Sequence, residues 1–290
     1  MTFNSKNLSI VFDLGTTEIK GAVMKNDGTL VQKVTQQNYT TVTDSNRHEQ
    51  DAIFWWKAIC SVSNELCESH KIHSVIVTGQ MQNLLLLNTK GSPLQEVILY
   101  SDQRSIEESE WLLQNSCYLD LVAKTGNEQG PTSLLAKLLW IKKHQPEIFS
   151  KTDCLLPGAS DYVVFRMTGE KATDTTTAST TGLMELVERK WIDEALFNKM
   201  GLQGVQTLLP KLFDGGAKIG ELQKKAATDL GIPAGLPVFL GPGDAGSATI
   251  GAGCGVPGKA YAYIGTSGWV AFAEKQPADP TTGVITLSHP

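Results

Sequence analysis

The residue best placed to do chemistry in this sequence is Asp244, which lies in a stretch of small residues from Gly241 to Gly255. A buried strand is predicted just before it, at 237–241, and a tightly packed helix just after it. A carboxylate at a helix N-terminus is electrostatically favoured and can take a proton from a bound hydroxyl group. The alternative is an ordinary helix-capping aspartate, but the surrounding glycines indicate that another group approaches the backbone closely.

A second candidate site runs from Asp13 to Lys20, where an aspartate ends a predicted strand and a Gly15-Thr16-Thr17 turn follows. The N–H groups, hydroxyls and lysine that such a turn exposes suit phosphate oxygens, and Asp13 could hold Mg²⁺ through water. A strand is predicted after the turn, which excludes the P-loop and the dinucleotide fingerprint because both open helices. By itself the segment fits a phosphate-binding turn and an ordinary hairpin equally well.

A third segment, Gly265-Thr266-Ser267-Gly268, repeats the arrangement of strand, small hydroxyl-bearing turn and strand. Alone it is better explained as an ordinary hairpin, but the two turns strengthen each other. Facing each other across a cleft, they could hold the β- and γ-phosphates of a nucleotide from both sides. With Asp244 they fit phosphoryl transfer, which needs positioning, charge neutralisation and one base near the nucleophile.

The elements that must position these segments follow from local patterns. The chain opens as an antiparallel meander that turns at 26–28, and Asp51 is expected to cap the first helix. The mixed order of strands and helices predicts an α/β fold whose sheet is mixed rather than purely parallel. Strands are predicted at 8–13, 20–25, 29–35, 73–78, 83–88, 153–156, 237–241, 259–264 and 268–273, and helices at 51–68, after 102, at 133–144 and at 160–167.

Composition bounds the class of protein. The 290 residues are 41% hydrophobic and 19% charged, with a net charge of −5, which is typical of a globular chain. No lysine or arginine block favours nucleic acid or an anionic membrane as a partner. Five scattered cysteines without a Cys-x-x-Cys pair disfavour a disulfide framework or zinc site. We see no signal peptide and no apolar run of about 20 residues, so we expect a cytoplasmic protein.

Ordinary roles are expected for several other residues. The hydroxyl-rich run from Thr173 to Thr181 is either a solvated loop or a segment that reaches the cleft, and the sequence does not separate the two. Asp161 is expected to cap its helix. Core packing is expected for Trp55, Trp56, Trp111, Trp140 and Trp269, and no metal-ligand spacing is found among His48, His70, His73, His144 and His289.

At its motifs the chain resembles the FGGY carbohydrate kinases, and within them the xylulokinase-like members. The resemblance spans nearly the whole chain, and it is specific in combination although each motif is weak alone. The matching segments are Asp13 to Thr17, Glu49-Gln50-Asp51 with Trp55-Trp56, Thr78 to Met81, Ser101 to Arg104, Leu138 to Trp140, Pro146 to Phe149, Leu155 to Pro157, Asp161-Tyr162, Arg166 to Glu170, Gly243-Asp244 and Gly265 to Gly268.

The resemblance implies an actin-like, ribonuclease H-like fold and ATP- and Mg²⁺-dependent phosphorylation of a ketose or polyol. It makes Asp244 the base and Asp13 the metal-holding residue. Asp102 and Arg104 are expected to touch the sugar, bond each other, or both. The implied phosphate-binding residues are Gly15, Thr16, Thr17, Lys20, Gly265, Thr266 and Ser267, and the implied sugar-pocket residues are Gln80, Met81, Gln82, Asp102 and Arg104.

Three departures from the family pattern lie on the sugar side. Gln82 replaces a histidine, Tyr100-Ser101 replaces Trp-Asn, and Ala245 replaces an asparagine that helps hold the sugar. Since the phosphate turns and Asp244 match, we expect conventional catalysis on a substrate other than D-xylulose. The loop Gly79-Gln80-Met81-Gln82 corresponds to the family's sugar-contacting loop and is called the sugar loop below. Glycerol is disfavoured as a substrate because this loop lacks the Arg-Glu pair of glycerol kinases.

The family's members are longer and carry a second domain that grips adenine. We expect residues 1–252 to be the sugar-binding domain and 253–290 the start of the second, so that the chain is a fragment, a truncated gene product or a partner-completed protein. The alternatives to a ketose or polyol kinase are a non-catalytic sugar-binding or regulatory fragment and a kinase for an aldonate or a glycerol-like polyol. The expected partner is a small-molecule sugar or polyol, and the sequence leaves a homodimer open.

Overall fold

The structure is a computed structural model that describes residues 7–68, 70–264 and 268–290. Its strands, in chain order from β1 to β17, are Leu8–Leu14, Glu18–Lys25, Leu30–Gln37, Thr41–Asp44, Arg47–Gln50, Ile72–Gly79, Leu85–Leu87, Val97–Ile98, Cys154–Leu156, Ala172–Asp174, Met184–Glu185, Lys190–Trp191, Lys211–Phe213, Ala217–Glu221, Pro237–Leu240, Ala260–Ile264 and Gly268–Phe272.

The helices α1 to α10 lie between these strands, and two short 3₁₀ helices cover Val205–Leu208 and Pro280–Thr282. The helices are Ala52–Cys67, Ile106–Gln114, Tyr118–Thr125, Leu134–His144, Pro146–Lys151, Ala159–Thr168, Thr175–Ser179, Glu194–Lys199, Lys224–Leu230 and Asp244–Gly251. Within the described part of the chain, no helix has the length and apolar character needed to cross a membrane.

A six-stranded sheet forms the centre of the molecule in the order β14-β15-β6-β1-β2-β3. The meander β1-β2-β3 is antiparallel, whereas β1, β6 and β15 are mutually parallel neighbours, so the sheet is mixed as predicted. Carboxyl ends of neighbouring parallel strands meet at one edge of a sheet. The ends of β1, β6 and β15 therefore bring three loops of the sequence together.

The first helix seals one face of this sheet. Asp51 caps α1 as predicted, accepting a hydrogen bond from Ile53 N at 2.7 Å. The helix packs closely on β2, because a Cβ added at Gly21 would lie 2.9 Å from Leu66 Cδ1 and overlap Val62. Trp55 and Trp56 are buried in the core at this face, which confirms their predicted packing role.

Two tryptophans do not lie in the core, contrary to the prediction. Trp111 is 46% exposed because the next residue, Leu112, carries the buried face of α2. Trp269 is 39% exposed because β16 and β17 form a separate two-stranded sheet with solvent on its faces. There Trp269 stacks on Tyr263 across the hairpin, with ring centroids 4.0 Å apart.

The hydroxyl-rich run of residues 173–181 is not a solvated loop. It forms the end of β10 and the short helix α7, and every residue in it is buried. Asp174 makes this possible, since its carboxylate caps α7 by accepting hydrogen bonds from Thr176 N and Thr177 N. The hydroxyls of Ser179, Thr180 and Thr181 also bond backbone oxygens one turn earlier, which satisfies polar groups away from water.

Candidate active site

The candidate site lies where the carboxyl ends of β1, β6 and β15 converge. Gln80 N donates to Leu14 O at 2.9 Å, which joins the loop after β6 to the turn after β1. Gly241 N donates to Val77 O at 2.8 Å, which joins the loop after β15 to β6. The three predicted segments that contain Asp13, Gln80 and Asp244 are thus neighbours in space, although more than 60 residues separate each of these residues from the next along the chain.

Hydrogen bonds donated to its carbonyl groups hold the turn after β1 in place. Asn38 Nδ2 donates to Gly15 O at 2.9 Å, Gln50 Nε2 donates to Thr16 O at 2.8 Å, and Asn38 N donates to Thr17 O at 2.8 Å. In a planar trans peptide the N–H points opposite to the C=O. Holding these carbonyls on the Asn38 and Gln50 side therefore turns the linked N–H groups the other way, where they could meet phosphate oxygens.

Asp13 and Lys20 lie directly opposite each other in the β1–β2 ladder, so they share a face beside the turn. Asp13 is half-buried, and burial raises its pKa, while the charges of Lys20 and Lys33 act to lower it. A half-buried carboxylate of this kind offers the hard oxygen ligand that Mg²⁺ prefers.

Asp244 occupies the first turn of α10, after Gly243 as the N-cap. Its Oδ1 accepts a hydrogen bond from Ala245 N at 2.8 Å rather than from an N–H one turn ahead, so it is not an ordinary cap. The residue is exposed to solvent, yet many protein atoms surround its carboxylate. Desolvation, with the negative charges of Asp13 and Asp174, raises the pKa of Asp244 to about 7 despite the Ala245 bond.

Gly243 lets the base approach the sugar loop. A Cβ at this position would lie 2.6 Å from Thr177 Oγ1 and closer still to Met81 Cγ and Sδ. Asp174 accepts a hydrogen bond from Thr177 Oγ1 at 2.6 Å and also bonds the Gly243 backbone. The sequence pointed to the run 173–181 as one that could reach the cleft but not to Asp174 and Thr177 individually, although an aspartate before a threonine run is a helix-capping signal that could have placed them.

The predicted sugar-loop residues differ in how they are held. Gln80 is buried, with its Oε1 accepting from Thr16 Oγ1 at 3.0 Å and its Nε2 donating to Gln50 Oε1 at 2.8 Å. Gln82 adopts a left-handed φ of 59° and donates from Nε2 to Thr180 O at 3.1 Å. Met81 packs on Gly243, so it contacts the segment of the base directly.

Asp102 and Arg104 bond each other, which was one of the two expected roles. Arg104 Nη2 lies 2.7 Å from Asp102 Oδ2 and 2.6 Å from Glu49 Oε1, and the guanidinium stands over the Trp140 ring. Burial acts to raise the pKa of Asp102, but the bonds from Arg104 and from His48 N outweigh it, so the pKa is lowered.

A buried lysine that was not predicted from the sequence supports the segment that leads to Asp102. Lys137 is fully buried on α4, and its Nζ donates to Leu99 O at 2.6 Å. Desolvation, aided by the charge of Arg104 and opposed by that of Asp102, lowers the pKa of Lys137 to about 7. Helical periodicity could not distinguish this inward-facing lysine from an exposed one.

The second predicted phosphate turn, at Gly265, Thr266 and Ser267, lies outside the described residues. The strands that flank it, β16 and β17, pair antiparallel as predicted. Thr249 Oγ1 on α10 is 3.2 Å from Tyr261 Oη on β16, which connects this hairpin to the helix that carries Asp244.

Comparison with known proteins gives consistent matches. Residues 8–251 match the FGGY family of carbohydrate kinases, N-terminal domain. Xylulose kinase of Escherichia coli K12 is 32% identical over 289 residues, which is 97% of this chain and 57% of that protein. Xylulose kinase from Rhodospirillum rubrum superposes with a TM-score of 0.87 at 25% identity, covering 93% of this chain and 57% of that one. Gluconate kinase from Lactobacillus acidophilus superposes at 0.82 with 26% identity, covering 91% and 54%.

These structural neighbours have the actin-like ATPase fold, and the α/β architecture with its mixed sheet places the chain in that class. The chain belongs to the FGGY family of carbohydrate kinases. The fold and family predicted from the sequence are thus confirmed. The chain spans a little over half the length of these relatives, at 57% of the E. coli protein.

Proposed function

We propose that the protein transfers the γ-phosphate of ATP to a hydroxyl group of a ketose or polyol, with Asp244 as the base. The observation that carries the proposal is the convergence of Asp244 with the turn at 15–17 on one sheet edge. A general base is most effective when its pKa is close to the working pH, and the pKa of Asp244 is raised to about 7.

The other residues take roles that follow from their positions. Gly15, Thr16, Thr17 and Lys20 would hold the phosphates, and Asp13 would hold Mg²⁺ through water. Mg²⁺ would supply charge neutralisation of the phosphates. The carboxylates of Asp13, Asp174 and Asp244 interact electrostatically, which fits a place that receives a cation. Gly265, Thr266 and Ser267 stay predictions.

The relatives support a carbohydrate as the substrate, and this chain's own residues narrow the choice of carbohydrate. The similar proteins are named for xylulose and gluconate, so the family likeness alone does not choose a sugar. Gln82, Tyr100-Ser101 and Ala245, the residue that follows the base, differ from the xylulokinase pattern, which favours a substrate other than D-xylulose. The predicted domain boundary after residue 252, the homodimer and the cytoplasmic location stay predictions.

The test uses the longest natural form of the protein that can be expressed, assayed for ADP release with a panel of ketoses, polyols and aldonates. Asp244→Asn keeps the shape of the side chain and removes the base, so the rate should fall about 10²–10⁴-fold. Asp193→Asn is the matched control, because Asp193 caps the remote helix α8 and is exposed. Its rate should stay near that of the unmodified protein.

Two outcomes would contradict the proposal in different ways. Turnover by the Asp244→Asn variant close to the unmodified rate would refute Asp244 as the base. Calorimetric sugar binding with no turnover by the unmodified protein, and with no ATP binding, would refute the kinase activity and indicate a sugar-binding protein instead.

A further inference from the structure

Gln50 lies at the centre of a buried hydrogen-bond network beneath the candidate site. The residue is 1% exposed, and both ends of its amide are fully engaged. Its Oε1 accepts from Asn38 Nδ2 at 3.1 Å, Trp55 Nε1 at 2.9 Å and Gln80 Nε2 at 2.8 Å. Its Nε2 donates to Thr16 O and Thr40 Oγ1, both at 2.8 Å.

The network joins two predicted half-sites, which are the phosphate turn at 15–17 and the sugar loop that contains Gln80. On one side it holds the phosphate turn, directly at Thr16 O and through Asn38 at Gly15 O. On the other side it holds Gln80 of the sugar loop. Thr16 Oγ1 donates to Gln80 Oε1 at 3.0 Å and closes the ring. The turn and the loop are thus fixed to each other as well as to Gln50.

The network requires an amide at this position. Three donors surround the oxygen of Gln50, so a reversed amide would face them with its own N–H groups. A glutamate could accept the same three bonds, but it has no proton to give to Thr16 O. It would place a carboxylate oxygen against that carbonyl and a negative charge beneath the phosphate turn.

We propose that Gln50 is a positioning residue that sets the phosphate turn relative to the sugar loop, so that the acceptor hydroxyl and the transferred phosphate meet in line. This inference rests on the proposed kinase function. Because Gln50 is buried, it acts through its hydrogen bonds to Thr16 and Gln80. Alignment is the kind of contribution that a displacement of about 1 Å can reduce by roughly 100-fold.

The first test does not depend on activity. Hydrogen exchange is measured at Gly15 N and Gln80 N, which report the turn and the loop, and at Gly241 N, which bonds Val77 on the same sheet edge. In Gln50→Glu, exchange at both reporters should rise together, by about 10-fold or more, while Gly241 stays near the unmodified rate. A rise at only one reporter, or an equal rise at all three, would overturn the proposal.

The matched control is Trp55→Phe, which removes a bond to the same Gln50 oxygen but belongs to neither half-site. It should lower global stability without exposing the two reporters selectively. If Gln50→Glu does not fold, Thr16→Val removes only the bond that closes the ring. Exchange at Gln80 should then rise relative to Gly241, and an unchanged ratio would overturn the proposal.

The second test is kinetic. In Gln50→Glu, kcat should fall about 10–100-fold while the KM for the sugar changes by less than about threefold, because alignment rather than sugar binding is lost. Trp55→Phe should keep kcat near the unmodified value. A Gln50→Glu enzyme with unaltered kcat would overturn the positioning role. An unmodified protein without turnover refutes the kinase proposal itself, and the exchange measurements still decide whether Gln50 joins the two segments.

Discussion

Replacing Gly243 with alanine should disturb the site more than any other single methyl group added to α10 or its cap. The added Cβ would lie 2.6 Å from Thr177 Oγ1 and closer still to Met81. Met81 can change rotamer at small cost because its thioether is flexible. Thr177 cannot, because it is fully buried and its hydroxyl is bonded to Asp174 at 2.6 Å.

The magnitude follows from which neighbour has to move. Gly243 has a negative φ, so alanine brings no backbone strain and the cost is steric. Overpacking of this kind typically costs about 1–3 kcal/mol. Because α7 is buried, we expect the relief to come partly from displacement of the Gly243–Asp244 backbone. The variant should therefore lose activity as well as stability, with kcat falling about 10-fold or more.

Urea unfolding and the ADP-release assay measure the two effects. Gly251→Ala is the matched control, since it adds the same methyl group to the last residue of α10, where nothing lies within 4 Å. Alanine lowers the conformational entropy of the unfolded chain relative to glycine. The Gly251→Ala variant should therefore be as stable as the unmodified protein or more stable by up to about 1 kcal/mol. If Gly243→Ala were as stable and active as Gly251→Ala, the close approach of Met81 and Thr177 to the base would be refuted.

Two further predictions concern charge. Because the folded-state pKa of Asp244 is raised to about 7 from 3.8, the folded form holds the proton more tightly, and the unmodified protein should lose stability as pH rises between these values. As the pH rises from 4 to 8, the free energy of unfolding of Asp244→Asn should therefore increase relative to that of the unmodified protein, as measured by urea unfolding. A difference that does not change with pH would contradict the raised pKa. Arg104→Met should cost about 3–5 kcal/mol by leaving the fully buried Asp102 without its cation. Arg189→Met breaks an exposed pair with Asp214 and should cost at most about 1 kcal/mol; equal losses would refute the structural role of Arg104.

Much of the local structure could be predicted because short-range patterns carry it. The meander, the Asp51 cap and the strand, turn and helix around Asp244 each depend on residues within a few positions of one another. Parts of the surface could not be predicted in this way. Trp111 and Leu112 are adjacent in α2, and only the packing of neighbouring elements decides which of the two faces the core.

The hydroxyl run shows a second limit. Threonines and serines are typical of solvated loops, and the sequence left a cleft segment as the other choice. The run is buried because Asp174 caps α7 and because the hydroxyls of Ser179, Thr180 and Thr181 bond carbonyls one turn back. The cap signal is local and could have been used, but burial depends on elements that are distant in sequence.

The sequence by itself determined the chemical groups of the candidate site: a carboxylate at the start of a small-residue helix, a Gly-Thr-Thr turn after a strand, and the match to the FGGY family. Only the tertiary structure decided how these groups are used. It placed β1, β6 and β15 side by side in parallel, raised the pKa of Asp244 by crowding, and tied Gln80 to Gln50 and Thr16. The physical reason is that desolvation and hydrogen-bond partnership depend on groups many residues apart, as the 64-residue separation of Thr16 and Gln80 shows. Local sequence patterns do not specify contacts between residues that are so far apart along the chain.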